Sequence, residues 1–236
     1  MIDIHSHIIY DVDDGSKSIE QSIEYLNQIK KIGMNNVVCT PHVHHLNKER
    51  LKKIKTNFNN LKKEADKLDI NLYLANEIMY SSNIIELLSN KDVLTINETK
   101  YILVEFKRYE NMDKNQIYQI FQDIIDNGYI PILAHPELYR NYRDINFVKK
   151  LKDMGVIIQI DATSILLSED YEIYRYAYKL LNNYLVDVVA SDSHCTKKRG
   201  FTSLLKAYKK IKRKYGSYAD IIFDENPKTI LGIKST

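Results

Sequence analysis

Apolar and polar positions change period repeatedly along the 236 residues. Short runs of β-branched and other apolar residues, the length of buried strands, alternate with longer stretches whose apolar residues recur every three or four positions, as on one face of a helix. The first run is Ile2-Asp3-Ile4. Residues 18–32 place Ile19, Ile23, Leu26 and Ile29 at helical spacing and stop at Gly33, a common helix terminator. Asn36-Val37-Val38-Cys39-Thr40 reads as a buried strand, 48–68 as a long lysine-rich amphipathic helix, and Asn71-Leu72-Tyr73-Leu74-Ala75 as a third strand. A short helix over 82–89 precedes Tyr101-Ile102-Leu103-Val104. A helix over 114–127 stops at Gly128 before Tyr129-Ile130-Pro131-Ile132-Leu133, and one over 145–154 stops at Gly155 before Val156-Ile157-Ile158-Gln159-Ile160. A helix over 168–182 leads to Leu185-Val186-Asp187-Val188-Val189, and the pattern from Gly200 onward is helical.

These are seven strand–helix units with no linker, repeat or low-complexity break, which predicts a single α/β domain over 1–236. Uniform alternation implies parallel strands wrapped by helices. Seven units point to a barrel one unit short of the eightfold type, with an open doubly wound sheet as the alternative. Against the open sheet, no Gly-x-Gly-x-x-Gly loop follows the first strand, and the chain has only 7 glycines.

The chemistry lies where the predicted strands end. Strand one runs into His5-Ser6-His7 and then Asp13-Asp14-Gly15, strand two into Thr40-Pro41-His42, strand three into Glu77 and strand four into Glu105. Strand five runs into His135 and strand seven into Asp192 and His194. A lone His-x-His is weak evidence, since histidines near a terminus are as readily polar surface. Five of the 7 histidines at strand ends are another matter, because a parallel barrel gathers those ends on one rim. Satisfied core histidines are the rival account. The donors are nitrogen and oxygen without thiolate, which suits manganese, iron or zinc better than magnesium. They exceed one ion's shell, so two or three ions are expected, with Glu105 or Asp192 as a bridge. Clustered divalent ions suit phosphoester hydrolysis.

The motifs His5-Ser6-His7, Val12-Asp13-Asp14-Gly15, Thr40-Pro41-His42, Ala134-His135-Pro136-Glu137 and Ser191-Asp192-Ser193-His194 resemble, in order and over nearly the whole chain, the polymerase and histidinol phosphatase (PHP) superfamily. The branch they resemble is the bacterial manganese-dependent protein-tyrosine phosphatases of capsular and exopolysaccharide operons. The resemblance implies a distorted (β/α)7 barrel with three metal ions. It assigns His5, His7, Glu105 and Asp192 to one ion, Glu77, Glu105 and His135 to a second, and Asp14, His42 and His194 to the third. Asp13 would shape the turn before Gly15, and Asp161 would be a hydrogen-bonding rim residue. The family's phosphate-binding arginine after His-Pro-Glu is Leu138 here; Arg140, two residues on, is the substitute, and Arg199 matches the family's second such arginine. A guanidinium fork fits phosphate in a way leucine cannot.

The implied reaction is attack of a metal-bridged hydroxide on phosphotyrosine, with Mn2+ foremost and Fe or Zn as alternatives. The implied partner is the tyrosine-rich tail of a bacterial tyrosine kinase controlling polysaccharide export. Histidinol-phosphate or other small-molecule phosphatase activity, a nuclease or editing role, and a metal-stabilised binding module without turnover are the competing readings. Cysteine catalysis is excluded by spacing: the sixth residue after Cys39 is His45 and after Cys195 is Phe201, where an arginine is needed. His44 and His45 are read as loop residues, and the lysines of 48–67 as a solvated helix face. A net charge of +3 is too small to argue for nucleic acid, and none is expected as a partner; no apolar run is long enough to span a membrane, and no leader precedes the first motif, so a cytoplasmic protein is expected.

Overall fold

The coordinates are those of a computed structural model, which describes residues 1–43, 48–107, 111–166, 170–194 and 200–233. In chain order the strands are β1 (Asn36–Cys39), β2 (His42–Val43), β3 (Asn71–Leu74), β4 (Glu77–Met79), β5 (Tyr101–Glu105), β6 (Ile130–Leu133), β7 (Ile157–Asp161) and β8 (Val188–Ala190). All pairings are parallel: β1 with β3, and β2-β4-β5-β6-β7-β8 in that order. β1 and β2 are one course of chain interrupted at Thr40-Pro41, where proline offers no N–H to a ladder. β3 and β4 are likewise one course, with Ala75 still donating to the Cys39 carbonyl (2.9 Å).

The predicted first strand is not one, although its chain lies where a strand would. Residues 2–7 make only isolated bridges, Asp3 with Val37 and Ser6 with Ser193. The reason is that the backbone hydrogen bonds switch sides. Asp3 N and O pair with Asn36 O and Val38 N (3.2 and 2.8 Å), whereas His5 O and His7 N pair with Asp192 N and Ser193 O (both 3.0 Å). The Asp3 carboxylate adds bonds to the Ser191 N–H and hydroxyl. The stretch therefore joins β1 to the chain beyond β8 and closes a distorted seven-course barrel.

The helices α1 (Ile19–Lys31), α2 (Lys48–Asp66), α3 (Ile84–Ser89), α4 (Lys114–Asp126), α5 (Ile145–Asp153), α6 (Ala162–Ile165), α7 (Tyr171–Asn182) and α8 (Thr202–Tyr215) wrap the barrel. Two further pieces, α9 (Tyr218–Asp220) and α10 (Asn226–Leu231), are joined by a π-turn over Ile221–Glu225. Ser18, Asp113, Asp144 and Asp170 cap α1, α4, α5 and α7 with side-chain bonds to first-turn N–H groups. The short α6 directly after β7 was not evident from the apolar spacing. On α2, Ile54, Phe58, Leu61 and Ala65 face the core, and the lysines lie outward as expected.

Strand alternation sorts the core into two layers. Ile102 and Val104 of β5 pack under the helices, whereas Leu103 joins Ile4, Val38, Ile132, Val188 and Ala190 inside the barrel, whose floor is closed by Ile96, Ile230 and Leu231. Glu105 continues the inward parity of Leu103, and Asp192 follows two residues beyond the end of β8. The carboxylates are thus delivered above an apolar plug.

Candidate metal centre

All nine residues expected as ligands lie among the described residues and converge on the strand C-terminal ends. His5 Nε2 is 3.2 Å from His7 Nε2, 3.1 Å from Glu77 Oε2 and 3.5 Å from Asp192 Oδ1. His42 Nδ1 lies 2.8 Å from Glu77 Oε2 and 3.0 Å from Glu105 Oε1. His135 Nε2 is 2.9 Å from Glu77 Oε1 and 4.0 Å from Glu105 Oε2. Asp14 Oδ1 stands between His42 Nε2 (3.4 Å) and His194 Nε2 (3.3 Å). Three groups have donor atoms mutually within 4.8 Å: His7, Asp14, His42 and His194; His5, His7 and Glu77; and His42, Glu77 and Glu105. The first contains the whole expected third set. Glu77 belongs to both of the others, and His135 and Asp192 lie beside these groups without belonging to one.

Two of these residues hold left-handed backbone, His135 at φ 35° and Asp192 at φ 45°. A non-glycine residue there costs on the order of 1 kcal/mol, and the conformation redirects each side chain at its strand end. Gly15 is a different case. A Cβ at this position would stand 2.1 Å from the His7 carbonyl oxygen and 2.5 Å from its Cβ. Glycine is what lets the Asp13-Asp14 turn lie flat against the His-x-His segment.

The rings are oriented from behind. His5 Nδ1 bonds Gln159 Oε1 (3.0 Å), His7 Nδ1 bonds Asp13 Oδ2 (2.8 Å), and His194 Nδ1 bonds the Asp192 carbonyl (3.0 Å). With each Nδ1–H donated outward, the Nε2 lone pairs of His5, His7 and His194 face inward. There they meet carboxylate oxygens, and Glu77 Oε2 and Glu105 Oε1, although close to His42 Nδ1, are buried without a well-formed hydrogen bond among the described residues. Converging lone pairs and bare carboxylate oxygens need cations between them, so the donor set fits divalent ions.

Protons are the only other candidates, and the electrostatics show the demand for them. Burial alone would depress the His7 imidazole, but Asp13, Asp192 and Glu77 outweigh it and hold it well above its usual value. Against the same burial, carboxylates raise His42 and His135 to about 10 and His194 to about 9. Glu77 and Asp192, although fully buried, are held well below the usual carboxylate range by the surrounding histidines, His5 foremost.

Asp13 does shape the turn, accepting from Gly15 N (2.9 Å), but it also accepts from His42 N (3.1 Å) while backing His7. Its wider role was missed, as was that of Gln159. The available signal for Gln159 was a single polar residue inside a buried strand run. Asp161 hydrogen-bonds as expected, accepting from Gln159 Nε2 (3.0 Å), yet it is buried rather than on an open rim. Glu137 is buried too, bonded to Asp161 N and Ser164 Oγ (both 2.8 Å), and burial with the nearby Asp161 charge pushes it up to about 8. Replacing Asp13 by asparagine is expected to weaken divalent-metal affinity roughly 10- to 100-fold, as loss of a carboxylate behind a ligating imidazole does. Calorimetric titration with Mn2+ measures it, and unchanged affinity would remove Asp13 from the design of the site.

Arg140 is exposed and Leu138 half-buried. Arg199, His44, His45 and Cys195 lie outside the described residues. Cys39 is fully buried, and desolvation pushes its thiol far above its ordinary value, so it is no nucleophile.

Residues 1–232 match the family "Capsular polysaccharide synthesis, CpsB/CapC". The chain is 37% identical over 207 residues to the putative tyrosine-protein phosphatase CapC of Staphylococcus aureus, covering 85% of this chain and 80% of that protein. It is 34% identical to the tyrosine-protein phosphatase CpsB of Streptococcus pneumoniae, over 98% of both chains. Among solved structures, one from the pair YwqE of Bacillus subtilis and CpsB of Streptococcus pneumoniae, metal-dependent tyrosine phosphatases, superposes with a TM-score of 0.87 at 27% identity, covering 100% of this chain and 96% of that one. The histidinol phosphate phosphatase of Lactococcus lactis shares the fold at a TM-score of 0.56 and 14% identity, over 94% and 95% of the two chains. By its match over nearly every residue, and by relatives alike along most of their length, this chain belongs to the CpsB/CapC family of capsular polysaccharide synthesis.

Proposed function

We propose that this chain is a metal-dependent phosphomonoesterase acting on phosphotyrosine in proteins, working as one domain over 1–236. The observation that carries the reading is the convergence of five histidines with Asp14, Glu77, Glu105 and Asp192 on one barrel rim, with no usable thiol among the described residues. His5, His7, Asp14, His42, Glu77, Glu105, His135, Asp192 and His194 would hold two or three ions, Mn2+ in the first instance. Such ions supply positive charge for the phosphoryl oxygens and acidify water at neutral pH.

The protein's own contribution is positioning. Asp13 and Gln159 fix the His7 and His5 rings, and Gly15 keeps Asp14 close to His42 and His194. Arg199, with Arg140 as the second cation, would orient the phosphate. The phenol of tyrosine, with a pKa near 10, leaves without a strong general acid. Tyrosine is also the longest of the common phosphorylated side chains and suits ions set at the base of a rim. The substrate in the cell would be the tyrosine-phosphorylated tail of a bacterial kinase governing capsule or exopolysaccharide synthesis, met in the cytoplasm. In keeping with this, no helix among the described residues is long and apolar enough to cross a membrane.

The test is kcat/KM with Mn2+ on a tyrosine-phosphorylated kinase tail, a phosphoserine peptide and histidinol phosphate. The tail is expected to lead by at least about tenfold, a difference of roughly 1.4 kcal/mol. A leading histidinol phosphate would place the chain in amino-acid metabolism, and no turnover on any of the three would leave a metal-stabilised binding module.

A further inference from the structure

The outer face where α7 lies beside α8 gathers positive charge. α8 carries Lys206, Lys209, Lys210, Lys212, Arg213 and Lys214 and no acidic residue. On α7, Tyr174 and Tyr178 are one helical turn apart with ring centroids 4.7 Å apart, and together form a half-buried ridge. Two open clefts of about 580 and 550 Å³ share this ridge. One is lined by Arg143, Arg175 and Lys179, the other by Lys210, Arg213 and Lys214. The single carboxylate among the described lining residues, Glu172, is already bonded to Arg175 (2.9 Å).

Some of these cations are held in place without being neutralised. Lys210 Nζ lies 4.9 and 5.3 Å from the Tyr174 and Tyr178 ring centres, and Lys214 Nζ lies 4.8 Å from that of Tyr178. An aromatic face orients an ammonium but leaves its charge available. Six cations against one carboxylate is a larger imbalance than the +3 of the whole chain. Both flanks are tied to short helical segments that follow barrel strands. Arg143 Nε donates to the carbonyl of Glu137 (2.9 Å), two residues past His135, and Lys210 Nζ donates to the carbonyl of Ile165 (2.9 Å), four residues past the end of β7.

We infer that this tyrosine-ridged cationic groove docks the polyanionic segment of the protein substrate that flanks the phosphotyrosine in the metal centre. The inference rests on the phosphatase reading above. The occupant's chemistry follows from the lining. Each further phosphotyrosine brings close to two negative charges for Arg and Lys and a ring to stack on Tyr174 or Tyr178. Carboxylates between them would meet the remaining cations. The charges sit within concave clefts on either side of a ridge, a shape that receives a chain more readily than the flat plane of an anionic bilayer.

The variant Lys179→Glu/Arg213→Glu/Lys214→Glu changes three exposed side chains away from the metal centre. With Mn2+ present, its kcat/KM on an acidic peptide bearing three phosphotyrosines is expected to fall about tenfold, chiefly through KM. Its kcat/KM on p-nitrophenyl phosphate should stay at the parent value. The charge-preserving variant Lys179→Arg/Arg213→Lys/Lys214→Arg should behave as the parent on both. The parent's peptide KM should also rise with salt more steeply than that of the charge-reversed variant. An unchanged peptide KM, or an equal loss on both substrates, overturns the groove. So does binding of the parent to phosphatidylserine vesicles that the variant loses while its peptide kinetics stay the same. If the parent hydrolyses neither substrate, it is the phosphatase reading that has failed; hydrolysis of both with indifferent variants sinks the groove alone.

Discussion

Asp192→Ala is expected to lower kcat/KM on any aryl phosphate by on the order of a thousandfold, and Cys39→Ser to leave it within a few-fold of the parent. Asp192 Oδ1 lies within 3.5 Å of His5 Nε2, 3.4 Å of His7 Nε2 and 3.2 Å of His194 Nδ1, so one carboxylate touches two of the histidine groups. Removing it leaves imidazoles facing one another across a buried space and takes away charge needed to retain a cation. Alanine tolerates the left-handed backbone at this position slightly less well than aspartate, a small cost beside the barrel's core, so the chain should still fold. Far-ultraviolet circular dichroism separates loss of the site from loss of the barrel, and metal analysis of the purified variant should show fewer ions per chain. Cys39 sits under the helices with its thiol pushed far above its ordinary value. A cysteine variant falling as far as the aspartate variant would exclude hydrolysis by bound metal.

The second large effect is a reversal in how stability depends on pH. In metal-free protein the imidazoles of His42 and His135 lose their protons only near pH 10, and that of His194 near 9, against about 6.5 in an unfolded chain. Groups raised on folding stabilise fully below their unfolded value, and that contribution disappears as pH climbs through the folded values. Glu77 and Asp192 are lowered on folding, so their contribution is present above about pH 4 and is lost on acidification. Metal-free protein should therefore be most stable between about pH 4.5 and 6.5 and lose on the order of a few kcal/mol by pH 10. With Mn2+ the slope over pH 6 to 8 should turn positive, because ions and protons compete for the same nitrogens. Melting temperatures recorded across pH with chelator and with Mn2+ test both halves. A metal-free melting temperature that rises from pH 6.5 to 9 would falsify the proton-filled cluster.

What the sequence disclosed depended on how local each signal is. His5, His7, His42, Glu77, Glu105, His135, Asp192 and His194 were legible because apolar runs mark strands and these residues follow them. Asp14 entered only through the family resemblance of Val12-Asp13-Asp14-Gly15. Their mutual distances were not legible, since those that set Glu77 beside both His42 and His135 arise between strands far apart in the chain. The break at Pro41 was visible as a residue but not as a division of one course into two strands. Gln159 backs His5 across 154 positions, and no periodicity records such a pair. The first strand was misread for the same reason. Ile2-Asp3-Ile4 has the composition of a strand, but the backbone partners of the stretch 2–7 are divided among residues 36–40, Asp192 and Ser193, and Phe223.

That divided pairing has a consequence for the order of assembly. The stretch 2–7 is synthesised long before residues 190 onward, yet its backbone partners include Asp192, Ser193 and Phe223. Until those residues emerge, His5 and His7 lack Asp192 and His194, and Asp3 lacks Ser191 across 188 positions. Closing so long a loop is slow and entropically opposed, so the barrel should zip through its neighbouring courses first and seal at this seam last. An ion that bridges the seam would then act on the final step, retarding its reopening far more than it hastens the earlier collapse. Amide exchange at His7 and Asp192, measured with and without metal, is where that late latch should be seen.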